Sequence, residues 1–193
     1  MSSILQELSA AAARGEPAQF PVRNTIRQGK QELLVVGLDN GNDALKGAML
    51  AEDGRLVTIR IPTAFREALT IRGGKQEVAY TSGDTTFWIG DTALDHGGDG
   101  LFIGPTYQRL VDPRMRLFLA AGVVELLRMT GYAPGSYTLA VGFAIPNDEI
   151  VPMRAESGEE TLGVREETRS VLRQHLKQAA WSILRTDPTG TGI

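Results

Sequence analysis

Leu33-Leu34-Val35-Val36-Gly37-Leu38-Asp39-Asn40-Gly41-Asn42-Asp43-Ala44-Leu45-Lys46-Gly47-Ala48-Met49-Leu50 is the stretch around which the rest of the chain is organised. Its first part is apolar and branched, which reads as a buried strand. That run ends at a carboxylate, and Asn40-Gly41-Asn42-Asp43 follows as a tight turn. A second apolar run, Ala44 to Leu50, returns, so the two form a hairpin. The polar load of this hairpin suits a phosphate and its metal. A turn of small residues can offer backbone N–H groups to phosphate oxygens. Lys46 can add a point charge. Asp39 can hold a hydrated magnesium ion, which keeps most of its own waters. The same residues also read as a hairpin with an ordinary polar tip, and at this point both readings stand.

Composition narrows the classes. The chain has 193 residues, 42% hydrophobic and 22% charged, which is ordinary globular composition with enough length for a real core. A net charge of −3 argues against a general nucleic-acid footprint. The absence of cysteine excludes disulfides and thiolate metal sites and suits a cytoplasmic protein. With His96 and His175 as its histidines, the chain is a poor candidate for a histidine-rich metal site. No apolar run approaches the ~20 residues that span a bilayer, so no membrane role is expected. The N-terminus lacks a basic, apolar signal sequence.

Outward from the hairpin, residues 1–31 read as an arm or linker. Ser3 can cap a short helix through Ala13, and Arg14-Gly15-Glu16-Pro17 breaks it. Residues 32–193 read as one lobe. Glu52-Asp53-Gly54 is a second turn, and Leu56, Ile59 and Ile61 belong to a third strand, giving an antiparallel meander. Residues 63–111 read as a small insertion. Within it, Gln76 to Thr81 and Thr85 to Ile89 flank Ser82-Gly83-Asp84 as a hairpin, and His96 is a surface loop residue. The best-defined helix follows, with Asp112 as N-cap, Pro113 in the first turn, a body from Arg114 to Thr130 and Gly131 as its stop. It has little polar face and should be largely buried. Ser136 to Ala144 is an alternating strand. Residues 147–160 read as an acidic loop, and a second helix starts at about Leu162, with His175 packed on or beside its apolar stripe. That helix either continues to Leu184 or stops near Gln178. In the second case Trp181, Ile183 and Arg185 alternate in a last strand, which strand propensity favours.

The element order is a meander, an insertion, a helix, a strand, a helix and a strand. Helical crossovers make the later strands parallel to members of the meander. The fold class is therefore α/β, a ribonuclease H-like mixed five-stranded sheet with helices on both faces. Ligand sites are expected at strand ends near the first hairpin.

Here the residues also resemble a family. Val36 to Lys46 resembles the first phosphate motif of the actin-like ATPases, above all the bacterial plasmid-segregation actins (ParM/StbA-type) and their archaeal relatives. Phe87-Trp88-Ile89-Gly90-Asp91-Thr92-Ala93-Leu94 is similar to their aromatic-x-x-Gly-Glu-x-Ala segment. Val141-Gly142-Phe143-Ala144-Ile145-Pro146 resembles their Gly-Leu-Pro segment, with Ala144-Ile145 departing from it. The match covers roughly residues 32–187. The resemblance implies the N-terminal lobe of an ATPase that binds Mg-ATP, self-associates into filaments and serves plasmid or DNA segregation. In that frame Asp39 holds magnesium through water, Asn40, Gly41 and Asn42 lie against phosphate, and Lys46 steadies its charge. Thr186-Asp187-Pro188 loosely echoes the segment that orients the attacking water, which makes Asp187 the catalytic candidate. The second phosphate hairpin and adenosine pocket of such ATPases have no counterpart after Asp187. An alternative is therefore a non-catalytic lobe of the same fold that works through protein contacts. A ribonuclease H-like nuclease would need several convergent carboxylates for two metals, and Asn147, Asp148 and Glu149 after Pro146 supply little beyond Asp39.

Overall fold

Period-two burial runs through the hairpin strands and sets the central sheet: Leu34, Val36 and Leu38 are buried, while Val35 between them is exposed. The computed structural model describes residues 25–28, 31–68, 77–100, 106–145, 149–154, 160–172 and 182–186. In chain order its first strands are β1 (Thr25–Gln28), β2 (Gln31–Asn40), β3 (Ala44–Leu50), β4 (Leu56–Pro62) and β5 (Ala64–Glu67). Next come β6 (Ala79–Ser82), β7 (Thr85–Ile89), helix α1 (Gly90–Asp95), β8 (Asp99–Gly100), α2 (Thr106–Val111) and α3 (Pro113–Met129). The last are β9 (Leu139–Phe143), β10 (Ile150–Arg154), β11 (Glu160–Val164), α4 (Glu166–Val171) and β12 (Leu184–Thr186).

β2, β3 and β4 form the expected antiparallel meander. β9 joins β2 in parallel, as a helical crossover requires. Leu34 pairs with both Thr25 and Leu139, and Val36 with both Met49 and Val141, so β9 lies on the opposite side of β2 from β1 and β3. The central sheet has five strands, but the fifth is β1. The sheet thus begins ahead of Glu32, inside the stretch expected to be an arm.

Helix α3 covers the apolar face. Asp112 caps it by accepting the Arg114 N–H at 2.7 Å, and Gly131, at φ +85°, ends it. Phe118, Leu119, Ala121, Val123 and Leu126 are buried against Leu45, Met49 and Ile59. Two glycines allow this approach. A Cβ on Gly122 would lie 2.4 Å from Leu45 Cδ2, and one on Gly47 would lie 2.8 Å from Leu126 Cδ1. Each fully buried leucine or phenylalanine here contributes about 1.5–3 kcal/mol.

The insertion holds more strands than the one hairpin read from the sequence. It supplies most of a second five-stranded sheet in the order β12-β6-β7-β5-β8. The expected hairpin around Gly83 forms, with Ser82 in the strand opposite Thr85 rather than in the turn, and Phe87 stacks between Phe65 and Tyr80. The final strand forms, but it pairs antiparallel with β6 and not with the central sheet. Three residues carry too little pattern to choose a partner. A buried node makes the choice: Glu125 of α3 accepts the Tyr80 hydroxyl and Arg185 Nε, each at 2.6 Å, and Arg128 Nε at 3.0 Å.

Two further expectations are corrected. Residues 147–160 are not simply a loop, because Ile150-Val151-Pro152-Met153-Arg154 pairs with Glu160 to Val164 as a hairpin. Leu162 is therefore in a strand, and the helix starts at Glu166. Acidic composition hid a short alternating pattern there. Helices were expected on both faces of the central sheet. Among the described residues α3 packs on one face, against β3 and β4, and the other face carries the trough described below. The expectations placed on residues 1–24, His175 and Trp181 lie outside the described residues.

Candidate functional site

Cross-strand register builds the site. Asp39 stands opposite Lys46, and Lys46 opposite Arg60. Paired residues share a face, so one carboxylate and two cations form a row across β2, β3 and β4. The neighbouring row is Gly142, Gly37, Ala48 and Thr58, all small. Together these rows floor an open trough of about 730 Å³ on the face away from α3, with Phe143 and Ala144 at the β9 exit.

Lys46 Nζ lies 3.6 Å from Asp39 Oδ2, and both side chains are about half exposed, at 53% and 49%. Such a pair adds little to folding and is accessible to a ligand. No group of three or more histidine, aspartate or glutamate side chains that could hold a metal occurs among the described residues. Hydrated magnesium asks for less, since it binds through one or two carboxylates plus substrate phosphates. Asp39, accessible at a strand end and facing the trough, fits that donor set.

The turn is fastened from beneath. The Gly41 N–H donates to the Ala44 carbonyl at 3.1 Å, and the Gly41 carbonyl accepts the Thr63 hydroxyl at 3.1 Å. The Thr63 N–H donates to the Asp43 carbonyl at 2.9 Å. Asn42 is exposed at the tip. Asp43 accepts Arg60 Nη2 at 2.9 Å. That guanidinium, together with the Asp43 and Ala44 amide N–H groups, holds the Asp43 carboxyl below the usual carboxylate range.

Asn40 behaves differently from its neighbours. Alternation turns its side chain to the face opposite Asp39, where it is 4% exposed, and neither side-chain polar atom has a hydrogen-bond partner. Its carbonyl accepts Arg109 Nη1 of α2 at 3.1 Å. The structure thus places Asp39 and Lys46 in the trough lining, leaves Gly41 and Asn42 in the turn outside that lining, and turns the Asn40 side chain to the other face. Asp187 lies outside the described residues.

Sequence reading missed Arg60, Thr63 and Arg109. Arg60 was findable, because alternation from Ile59 and Ile61 puts it on the polar face opposite Lys46. Thr63 follows Pro62 with no pattern of its own, and Arg109 sits in a short helix with no signal of burial. His96 is exposed as expected, yet it stacks on Trp88 at 4.1 Å and hydrogen-bonds Glu77.

No protein-family model matches the chain, and no curated protein matches it. Solved structures do. ParM of Bacillus thuringiensis with AMPPNP aligns over 82% of this chain and 40% of its own, at 18% identity and a TM-score of 0.51. AlfA from the B. subtilis plasmid pLS32, solved as a filament, aligns over 82% of this chain and 51% of its own, at 11% identity and a TM-score of 0.53. The fold is that of one lobe of the ParM-type actin-like proteins. The ParM-like fold is ribonuclease H-like, in agreement with the mixed α/β class expected from the sequence. The chain spans about half or less of the length of these structures. Among the described residues no helix is long and apolar enough to cross a membrane.

Proposed function

We propose that this chain is the phosphate-binding lobe of an actin-like ATPase of plasmid or DNA segregation, binding Mg-ATP at the first hairpin and self-associating into filaments. The observation that carries the nucleotide part is the Asp39–Lys46 pair, which faces the trough at the end of the central sheet. The fold shared with ParM, solved with AMPPNP, supports the nucleotide, and the fold shared with AlfA, solved as a filament, supports self-association.

In this reading Lys46 directs its ammonium at a phosphate oxygen, and Gly41 and Asn42 let phosphate approach the turn backbone. Asp39 holds magnesium, which when bound neutralises charge on the phosphates. The Thr63 hydrogen bonds keep the turn in place during binding. Phosphoryl transfer depends on several such parts acting together, so the isolated chain is expected to turn over ATP slowly. Asp187 is the residue proposed to orient water.

The test is thermal shift with and without millimolar Mg-ATP. Binding to the native state raises the melting point by mass action. Wild type should shift upward, and both Asp39→Asn and Lys46→Ala should shift less. Asp39→Asn should change the melting point without ligand little, since its half-exposed pair with Lys46 adds little to folding. No nucleotide-dependent shift in wild type would reject this reading. It would favour a lobe without turnover that works through protein contacts, which the engagement of the Gly41 N–H by Ala44 already favours.

A further inference from the structure

We propose that the Asp43 carboxylate is a resident anion that an incoming phosphate displaces, and that Arg60, released by this exchange, becomes a second cation of the phosphate site beside Lys46. The inference rests on the phosphate-binding reading of the hairpin and adds to it a residue and a displacement step.

The geometry comes from the turn itself. Asp43 folds back over it: its Oδ1 lies 3.1 Å from the position a Cβ on Gly41 would take, while its Oδ2 accepts Arg60 Nη2 at 2.9 Å. The nearby Asp43 and Ala44 amides also help to hold its pKa down. These are amides that a phosphate oxygen would need at such a turn. A carboxylate therefore stands where the ligand's negative charge would go, with a guanidinium already drawn toward it. Arg60 belongs to the same row as Asp39 and Lys46 and lines the trough. Among the described residues the two carboxylates Asp39 and Asp43 balance the two cations Lys46 and Arg60, so the resting trough end is neutral.

The exchange costs little and needs little movement. Arg60 and Asp43 are 63% and 65% exposed, and an exposed pair of this kind shifts an equilibrium by no more than about fivefold. Phosphate is a good replacement, because a guanidinium can meet it through two parallel N–H···O bonds. Thr63 anchors the turn through backbone atoms, the Gly41 and Asp43 carbonyls. The Asp43 side chain can therefore rotate away without releasing the turn. Nothing is broken covalently: one anion replaces another on Arg60.

The test is Mg-ATP affinity by calorimetry for wild type, Asp43→Asn, Arg60→Met, the double variant and Lys46→Ala, each first shown to be folded by its melting curve. Asp43→Asn should tighten binding by roughly three- to fivefold, the value of the lost competing pair. Arg60→Met should weaken it by about tenfold, the loss of a charge-assisted contact. In the Arg60→Met background, Asp43→Asn should give a smaller gain than in wild type. Binding by wild type that Lys46→Ala weakens, with Asp43→Asn or Arg60→Met unchanged, would overturn this inference and leave the hairpin reading standing. Weaker binding by Asp43→Asn would overturn it as well, making Asp43 a support and not a competitor. Absence of wild-type binding at millimolar Mg-ATP would instead reject the hairpin reading on which both rest.

Discussion

Replacing Glu125 by alanine should loosen the second sheet from helix α3 more than any substitution at the exposed hairpin would. Glu125 is 12% exposed at its side chain and Arg185 is 7% exposed, so their contact is a buried ion pair. Burial pushes the Glu125 carboxyl up, and the hydrogen bonds from Tyr80 and Arg185 outweigh it, so the group sits below the usual range and stays ionised. Tyr80 is driven strongly upward by burial and by the Glu125 charge, and so remains a donor. Removing one partner of a buried pair costs about 3–5 kcal/mol, because the other charge loses its compensation. In a chain of this size that corresponds to a fall in melting temperature of roughly 6–20 °C, at about 2–4 °C per kcal/mol. Arg128→Ala, which removes the partly exposed member of the node, should cost below about 1 kcal/mol. The double change Glu125→Gln with Arg185→Met should recover part of the loss, since neutralising both partners is far less costly than stranding one. Urea titration measures these three variants and the single changes Glu125→Gln and Arg185→Met, with the midpoint moving and the slope unchanged. A Glu125→Ala loss under about 1 kcal/mol, or a double variant worse than the sum of its parts, would refute the argument that this pair places β12.

Acid should weaken the fold through the same group. Its lowered pKa means that its contribution is fully present above the ordinary value of 4.5 and is lost as pH falls through the lower folded value. The pH profile of wild-type stability should therefore steepen below about 4.5, and that of Glu125→Gln should be flatter. Gly122→Ala gains about 1 kcal/mol of helix propensity. It also drives a Cβ to 2.4 Å from Leu45 Cδ2, an overpacking cost of about 1–3 kcal/mol. A net loss is expected by urea titration, and a gain would show that Leu45 moves aside freely. Asp112→Ala removes the cap on α3 and should cost about 1 kcal/mol, read as a lower urea midpoint, with Asp112→Asn close to wild type.

The parts of the fold that were legible in the sequence share one property: a long periodic signal with a chemical stop at each end. The hairpin had two apolar runs about a polar turn, and α3 had Asp112, Pro113 and Gly131 as its boundaries. The register that sets Asp39 opposite Lys46 came from the structure, because a turn read as Asn40 to Asp43 leaves the pairing open. The misplaced parts are short. Ile150 to Arg154 and Leu184 to Thr186 hold too few residues for alternation to outweigh composition. The partner of β12 depends on Glu125, sixty residues earlier in the chain, and a contact at that range leaves no local mark. At the site, Asn40 was read by its neighbours' chemistry, although alternation already placed its side chain on the other face. Arg60 was legible by the same alternation, as the polar residue between Ile59 and Ile61 in β4.

The double flanking of β2 has a consequence for how the site waits for its ligand. From Val36 to Leu38 this strand is bonded on one edge to β9 and on the other to β3, and β3 in turn lies between β2 and β4. Amides in such strands exchange with solvent deuterium only when a large part of the lobe opens. Asp39 and Lys46 are the next rung after Leu38 and Gly47, so the facing pair is fixed to backbone expected to exchange slowly. Asn42 and Asp43 lie beyond the ladder and should exchange quickly. A ligand arriving at the trough would then slow deuterium uptake at the turn and leave the strands beneath it unchanged, the mark of a receptor whose frame is set before anything binds.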